Sequence, residues 1–529
     1  MDTIIPNIRP AAQTAFILAV LMLISRLIGF AREILMASYF GASYVVDAYV
    51  VSYNISTIIL EGIIAAVATA FVPMFSKKVE TEGYHEANLF TSRTNNILLL
   101  VTLFASVFSF IFSRQIVFLV ASGWFSDPSM QSGIELAVFY VKVTFATMIF
   151  TSIAGVLESY LRYNNRFISA LLSNFPINIG HIVFIFVAYF LDLRMLVGGL
   201  FIGNIIRLII DYQVSKKVGY KHKWDFHFSD TVKLIIGMSL PVFIGSTSEQ
   251  INAFINRILA SWLPTGSIAS LNYSFMIITF VTGVSSMVLF NMLYPKMAQA
   301  ASLQNFDRWR HLCTSGVMLI CIITAPVSLG GMLYNRLIIK AVFERNAFDS
   351  LATDSTSIAL FYYSIGLVFI ALIPFLARAF FSLQDTKTPV KIAVLCAAIN
   401  IASNLILVRY LAHGGLALGM SFASFLNVLL LLFFINRKMG ELINRQLLLK
   451  LARIAISSAI SVFISYIIFV FLLNDNNGLS SAWGSIFSLL ILILFTALVY
   501  IILLRIFKIE ELKYFSQLLK KQDKHSNEV

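Results

Sequence analysis

"SRLIGFAREILMASYFGASYVVDAYVVSY" (Ser25–Tyr53) sets the terms for the whole chain. It joins the end of one apolar run to the start of the next, yet it carries Arg26, Arg32, Glu33 and Asp47. Outward from it, apolar runs of about 20 residues recur in both directions, each long enough to cross a ~30 Å hydrocarbon core as a helix. Composition agrees. Of 529 residues, 59% are hydrophobic and 12% charged, against about 25% charged in soluble domains. The alternating pattern of a membrane barrel is absent. The chain therefore reads as an all-α polytopic membrane protein.

Hydropathy predicts 14 transmembrane helices, at about 13–40, 46–75, 94–121, 135–161, 167–191, 195–215, 232–262, 267–295, 311–334, 354–382, 388–411, 415–436, 450–473 and 482–507. The connecting segments then alternate in charge. Of the lysines and arginines in them, only Arg114, Arg194, Arg336, Lys340, Arg345 and Arg409 fall on the poorer side. Cations stay cytoplasmic, so both termini are expected inside. The polar first ten residues, with Pro6 and Pro10, are followed by no small-residue cleavage site, so the first apolar run is expected to remain as a span. The net charge of +13 sits in short loops, a pattern of topology and anionic headgroups rather than of nucleic-acid binding. Cys313, Cys321 and Cys396 lie in apolar segments without metal-like spacing and read as small core residues.

The chain also repeats itself. Pro73 in "AFVPMFSKK" and Pro295 in "NMLYPKMAQ" stand 222 residues apart. The same offset pairs Asn178-Ile179 with Asn400-Ile401, Leu161 with Leu383, and Ser52-Tyr53 with Ser274-Phe275. "GGLFIG" from Gly198 matches "GGLALG" from Gly414. Spans 1–6 thus resemble spans 7–12, in one orientation, so the two lobes are expected to be related by a pseudo-two-fold along the membrane normal. The expected division is 1–215 and 216–440 for the six-helix lobes, 441–510 for two additional helices, and 511–529 for a cytoplasmic tail.

Six cations fall inside spans: Arg26, Arg32, Lys142, Arg207, Arg257 and Arg378. A charge at the bilayer centre costs at least ~2.5 kcal/mol, so such groups face a wet cavity or an anionic partner. Arg26 and Arg32 lie about 9 Å apart along a helix and about 120° apart around it, with Gly29 between them. With Arg257 they are the candidate anion-binding groups; for Arg26 the plainer role is an ion pair with Glu33, Asp47 or Glu61. Asp47, Glu61 and Arg378 are candidate gating or ion-pair residues, Asp47 serving equally well as a cap at the start of span 2. Arg207 and Asp211 are spaced to pair along one helix. Lys142 and Glu158 are too far apart on theirs to meet. Ser246, Glu249, Asn252 and Asn400 offer oxygens for a sodium ion or a proton. His181 reads more readily as a packing residue than as a proton relay. Pro241, Pro326 and Pro374 interrupt spans and are sites for kinks. No Ser-His-Asp set, metal cluster, Walker motif or dinucleotide fingerprint is present, and the outer-face loops are short, which disfavours an enzyme.

Ser25–Tyr53 with the following "AFVPMFS", and Glu344–Val394 with its "LARAFFSLQDTKTP", resemble the MurJ (MviN) family of lipid II flippases, within the multidrug/oligosaccharidyl-lipid/polysaccharide exporter superfamily. The resemblance covers about residues 13–440 and includes the helix count. It implies two six-helix lobes around a cationic cavity, and a further helix pair forming a groove for a polyprenyl tail. It also implies movement of lipid II, an undecaprenyl-pyrophosphate-linked peptidoglycan precursor, to the outer leaflet of the bacterial cytoplasmic membrane. The family's first-helix arginines fall on Arg26 and Arg32, its following acidic residue on Asp47, and the region of its cation site on Glu249. Its arginine pair in span 2 falls near Ile59-Leu60, and its arginine of span 8 near Phe275-Met276. The alternatives are a paralogue exporting another lipid-linked oligosaccharide and, less favoured by the helix count, a cation-coupled multidrug antiporter. Expected partners are the lipid-linked saccharide, membrane lipids and other cell-wall synthesis proteins. No cofactor is expected beyond sodium or proton coupling.

Overall fold

Inside hydrocarbon, every backbone donor and acceptor must be satisfied by the chain itself, which leaves helices or closed barrels. The computed structural model describes residues 11–226, 252, 254–440, 442, 444–470 and 482–509; these form helices joined by short turns, with no strand among them. Among these residues nine helical segments are long and apolar enough to cross a membrane. The protein is thus a polytopic α-helical membrane protein.

The chain divides into two compact units, Met1–Thr265 and Gly266–Val529. The first contains α1 (Ala11–Phe40), α2 (Tyr44–Val120), α3 (Gln131–Tyr163), α4 (Phe167–Leu172), α5 (Phe175–Phe190) and α6 (Gly198–Lys217). Residues 254–261 are helical as well. The second contains α7 (Ser267–Ser302), α8 (Phe306–Leu333), α9 (Asn335–Phe343), α10 (Ser350–Ser382), α11 (Lys387–Met439), α12 (Arg445–Ile468) and α13 (Ala482–Ile506).

Two of these helices are too long to be single spans. The 77 residues of α2 would extend roughly 115 Å at 1.5 Å per residue. The helix is broken at Gly83 (φ 84°, ψ 170°). A Cβ there would meet nothing within 4 Å, so the position needs glycine for its backbone conformation and not for space. The break falls between the predicted second and third spans. In α11 the break is Ala412 (φ 48°, ψ −131°), between the predicted eleventh and twelfth. Pro73, Pro295, Pro326 and Pro374 all lie inside helices. Pro241 lies outside the described residues. One segment departs from its expectation: part of the 335–353 connection, read as a plain loop, forms α9, which buries Leu337, Ile339, Ala341 and Phe343.

Small residues set the closest helix approaches, as they do where lipid gives no hydrophobic drive to associate. In the first unit, a Cβ on Gly199 would come within 2.5 Å of the Gly180 carbonyl, and one on Gly203 within 2.7 Å of Ile177 Cα. Backbones of α5 and α6 therefore touch through the "GGLFIG" turn. In the second unit, a Cβ on the matching Gly415 would run into the Leu407 carbonyl, and one on Gly419 into the side chain of Asn404. The duplicated motif thus does the same packing work in each unit.

Aromatic rings fill one end of the first unit: Phe71 stacks on Phe75 and Phe90, and Phe75 meets Tyr160 edge-on at 5.3 Å. In the second unit Trp309 is fully buried and donates its indole N–H to Ser382 Oγ at 2.8 Å. Helices α12 and α13 join this core through Leu447, Ile454, Tyr500 and Leu504, with Tyr500 donating to the Ile322 carbonyl at 3.0 Å. All three cysteines are buried and free.

Gly199→Val should force α5 and α6 apart and cost at least about 1–3 kcal/mol, lowering the thermal midpoint of the detergent-purified protein. Gly330→Ala should leave it unchanged, because its added carbon would meet only Tyr334 at 3.9 Å.

Candidate functional site

The first unit gathers polar side chains from three helices at one depth. Arg32 and Glu33 come from α1, Tyr49 and Tyr53 from the first turns of α2, and Asn178 and His181 from α5. Arg32 donates to Asn178 Oδ1 at 3.2 Å and pairs with the neighbouring Glu33 carboxylate. The two side chains of that pair are 16% and 10% exposed, so Arg32 is largely buried and its charge is already balanced. Gly29, one turn earlier on α1, lies beside the same Asn178 oxygen, but a Cβ there would stand 3.9 Å from it, an ordinary contact. His181 is fully buried, with Nδ1 3.3 Å from the Tyr49 hydroxyl. Tyr49 in turn stacks on Tyr53, ring centres 5.7 Å apart.

Arg26 has a different environment. It is exposed, on a stretch of α1 where Met22, Leu23, Ile24 and Leu27 are exposed as well. Among the described residues it makes no ion pair. The pairing of Arg26 with Glu33 weighed from sequence is therefore not the one formed; Glu33 is taken by Arg32. Asp47 is buried in the first turn of α2, where its own N–H reaches the Ser43 carbonyl at 3.0 Å. Arg257 is half-buried on the 254–261 helix, and Arg378 is exposed on α10. Asn252 is helical and accepts from Asn256 at 3.4 Å. Asn400 is buried in α11 and accepts from Asn404 at 3.0 Å. Ser246 and Glu249 lie outside the described residues, as does the side chain of Glu61. Of these candidates in the first unit, Arg32 has its partners and Arg26 makes no ion pair among the described residues; Asn252 and Asn400 belong to different units.

A second charged network ties α3 to α6. Glu158 receives Arg162 at 2.5 Å and Arg207 at 2.7 Å, while Arg207 Nε lies 3.7 Å from the fully buried Asp211. The sequence spacing had favoured Arg207 with Asp211. The cross-helix partner is nearer, because the outer nitrogens of the guanidinium fork reach beyond its own helix. Among the described residues Lys142 makes no ion pair; its ammonium sits 4.6 Å over the Phe110 ring, a cation–π contact.

In the second unit the "LQDTKTP" motif forms a cap. Asp385 accepts from the Thr388 N–H at 3.0 Å and its hydroxyl at 2.8 Å, and from Lys438 at 2.9 Å. It thereby satisfies the start of α11 and ties it to that helix's far end. Beside it lies a cavity of about 350 Å³ lined by Phe380, Asp385, Thr388, Phe434, Arg437 and Lys438. Partial burial works against ionising Asp385, but the hydrogen bonds from Lys438 and Thr388 outweigh it and bring the carboxyl down to about 2.

Paired charges on long apolar helices fitted backbone to backbone define a polytopic α-helical membrane protein. Comparison with known proteins places it further. The model of the lipid II flippase MurJ family matches residues 36–474, and the chain belongs to that family. It is 28% identical over 514 residues to the probable lipid II flippase MurJ of Buchnera aphidicola subsp. Schizaphis graminum (strain Sg), over 95% of this chain and 98% of that one. Its fold is similar to that of a lipid II flippase MurJ solved in an inward closed conformation, with a TM-score of 0.78 and 24% identity over 93% of this chain and 98% of that one. It is also similar in fold to an inward-facing multidrug resistance MATE family transporter of the MOP superfamily, with a TM-score of 0.63 and 14% identity over 79% and 95% of the two chains.

The sequence reading missed Asn178, Tyr49 and Tyr53 as neighbours of the arginine site. Asn178 carried a signal in the repeat, since its offset partner Asn400 is also an asparagine in a predicted span. The two tyrosines carried none.

Two outcomes follow. Arg207→Ala would leave Asp211 and part of Glu158 uncompensated and should cost about 3 kcal/mol of stability, read as a lowered thermal midpoint. The Asp385 contribution follows from its depressed folded-state pKa: it is complete above about pH 4, the unfolded carboxyl value, and is lost as pH falls toward 2. Asp385→Asn should remove that acid-dependent part of the melting profile and leave the rest.

Proposed function

We propose that this protein moves a polyprenyl-pyrophosphate-linked saccharide, lipid II, from the inner to the outer leaflet of the bacterial cytoplasmic membrane by alternating access. The family match over residues 36–474 carries this reading. The physical task is to take a pyrophosphate and sugars across a layer in which they cannot be solvated. Guanidinium suits it, because it stays charged and offers a planar fork of donors to phosphate oxygens. The isoprenoid tail can stay in lipid while the headgroup passes. The protein acts as a transporter and not as an enzyme.

Arg26 is the proposed first contact for the headgroup, since its charge has no ion-pair partner among the described residues, whereas Arg32 is held by Glu33 and Asn178. Arg32 then serves to position α1 against α5. Arg257 is assigned to the same anionic headgroup, and Asp47, Glu61 and Arg378 to gating. Ser246, Glu249, Asn252 and Asn400 are the proposed sodium or proton site. The charge alternation of the loops supports cytoplasmic termini. The duplication supports two six-helix lobes with a last helix pair for the lipid tail, and other cell-wall synthesis proteins are proposed partners. The absence of arginine near Ile59-Leu60 and Phe275-Met276 favours, as the second reading, another lipid-linked oligosaccharide as cargo.

Expression in cells depleted of their own lipid II flippase separates the two readings. Rescue of growth is the expected result; membrane-inserted protein without rescue would favour the second cargo. In the rescuing background, Arg26→Ala should lower flipping of labelled lipid II about tenfold or more, the size of a lost charge-assisted hydrogen bond. Arg26→Lys should recover part of the loss. Arg32→Ala should lower the thermal midpoint as well as transport, because it strands Glu33.

A further inference from the structure

The segment that follows α6 is built as a surface strap. Residues 220–226 have no regular structure, yet they are fastened along α2 by a row of hydrogen bonds. Asn88 donates to the Gly219 carbonyl (3.1 Å), and Asn96 to the carbonyls of Lys223 (2.9 Å) and Asp225 (3.0 Å). The Lys223 N–H reaches Ser92 Oγ at 3.2 Å, and the buried Tyr220 hydroxyl lies 3.2 Å from the same oxygen. Arg93 pairs with Asp225 at 2.7 Å. The backbone is therefore satisfied and fixed without being part of a helix or a sheet.

What this scaffold holds outward is apolar and cationic. Trp224 is 71% exposed and Phe226 48% exposed. The two rings stack at 6.1 Å, with His222 edge-on to Trp224 at 4.7 Å. Lys216, Lys217, Lys221 and Lys223 lie in the same stretch of chain, all exposed. Asp225 is paired with Arg93 and Glu82 with Lys78, while Glu86 lies 3.3 Å from His85. Lys223 comes within 3.5 Å of His85. Lys216, Lys217 and Lys221 make no ion pair among the described residues. A fixed, exposed tryptophan at the end of a membrane-crossing helix, with these lysines in the same stretch, matches the headgroup layer: amphipathic rings sit at that depth, and cations there meet anionic headgroups.

We propose that residues 216–226 bind anionic phospholipid of the surrounding bilayer, with Trp224 and Phe226 entering the interface and Lys216, Lys217 and Lys221 meeting the headgroup phosphates. The bound lipid pins the cytoplasmic end of α6 and the helix of α2 on which the strap lies. The site is separate from the arginines of α1 and does not depend on the identity of the cargo.

The test uses the full-length protein in nanodiscs containing brominated phosphatidylcholine or brominated phosphatidylglycerol. Subtracting the emission of Trp224→Phe from that of the parent isolates Trp224, which is exposed enough for the change to be tolerated. Its emission should be quenched, and more strongly by the anionic lipid. Lys216→Gln, Lys217→Gln and Lys221→Gln together should erode that preference by up to about fivefold per lysine. An unquenched Trp224, equal quenching by the two lipids, or a preference that survives the triple variant would overturn the proposal.

Discussion

A guanidinium placed at bilayer depth must be answered by an acceptor or by water, and the first unit is arranged around that demand. Arg32 finds Glu33 on its own helix and Asn178 on α5. The bond to Asn178 ties α1 to α5. Helix α5 is fixed in turn by the glycines of α6 on one side and by the Tyr49–His181 contact to α2 on another. Each contact is polar or unusually close, as expected where apolar packing gains little over lipid. Arg26, two turns away, makes no ion pair among the described residues, and that contrast between two arginines of one helix is what singles out Arg26 in the proposed role.

Much of the architecture was legible because the bilayer imposes a length and a charge rule on every segment. The boundary between the second and third spans lay in a polar stretch, and Gly83 breaks the helix there. The "GGL" repeats were legible as a duplication, and in both units their glycines make close backbone or side-chain approaches. Pairing between helices was less legible. Spacing along α6 suggested Arg207 with Asp211, but helix rotation brings Glu158 of α3 nearer, at 2.7 Å against 3.7 Å. Lys142, read from sequence as too far from Glu158 to meet it, lies over Phe110. Rotation and relative depth belong to the packed bundle, and no local pattern encodes them.

The "LQDTKTP" motif shows a resemblance gaining a physical reason. Its aspartate closes the N-terminus of α11 through Thr388 and draws in Lys438 from the same helix's other end. Because α11 turns back at Ala412, its two ends meet at one membrane surface, and a single carboxylate clips them. The strap after α6 does comparable work in the first unit with neutral amides: asparagines of α2 hold the carbonyls of a chain that has no helix of its own.

The glycine seam between α5 and α6 has a mechanical consequence. Two backbones in direct contact leave no layer of side chains to shear, so this pair must tilt as one plate. Flexure is then delegated to helices whose ladder is already missing a donor, those carrying Pro73, Pro326 and Pro374. Stiffness and compliance are in this way allotted to different helices by two residue types, glycine welding and proline yielding.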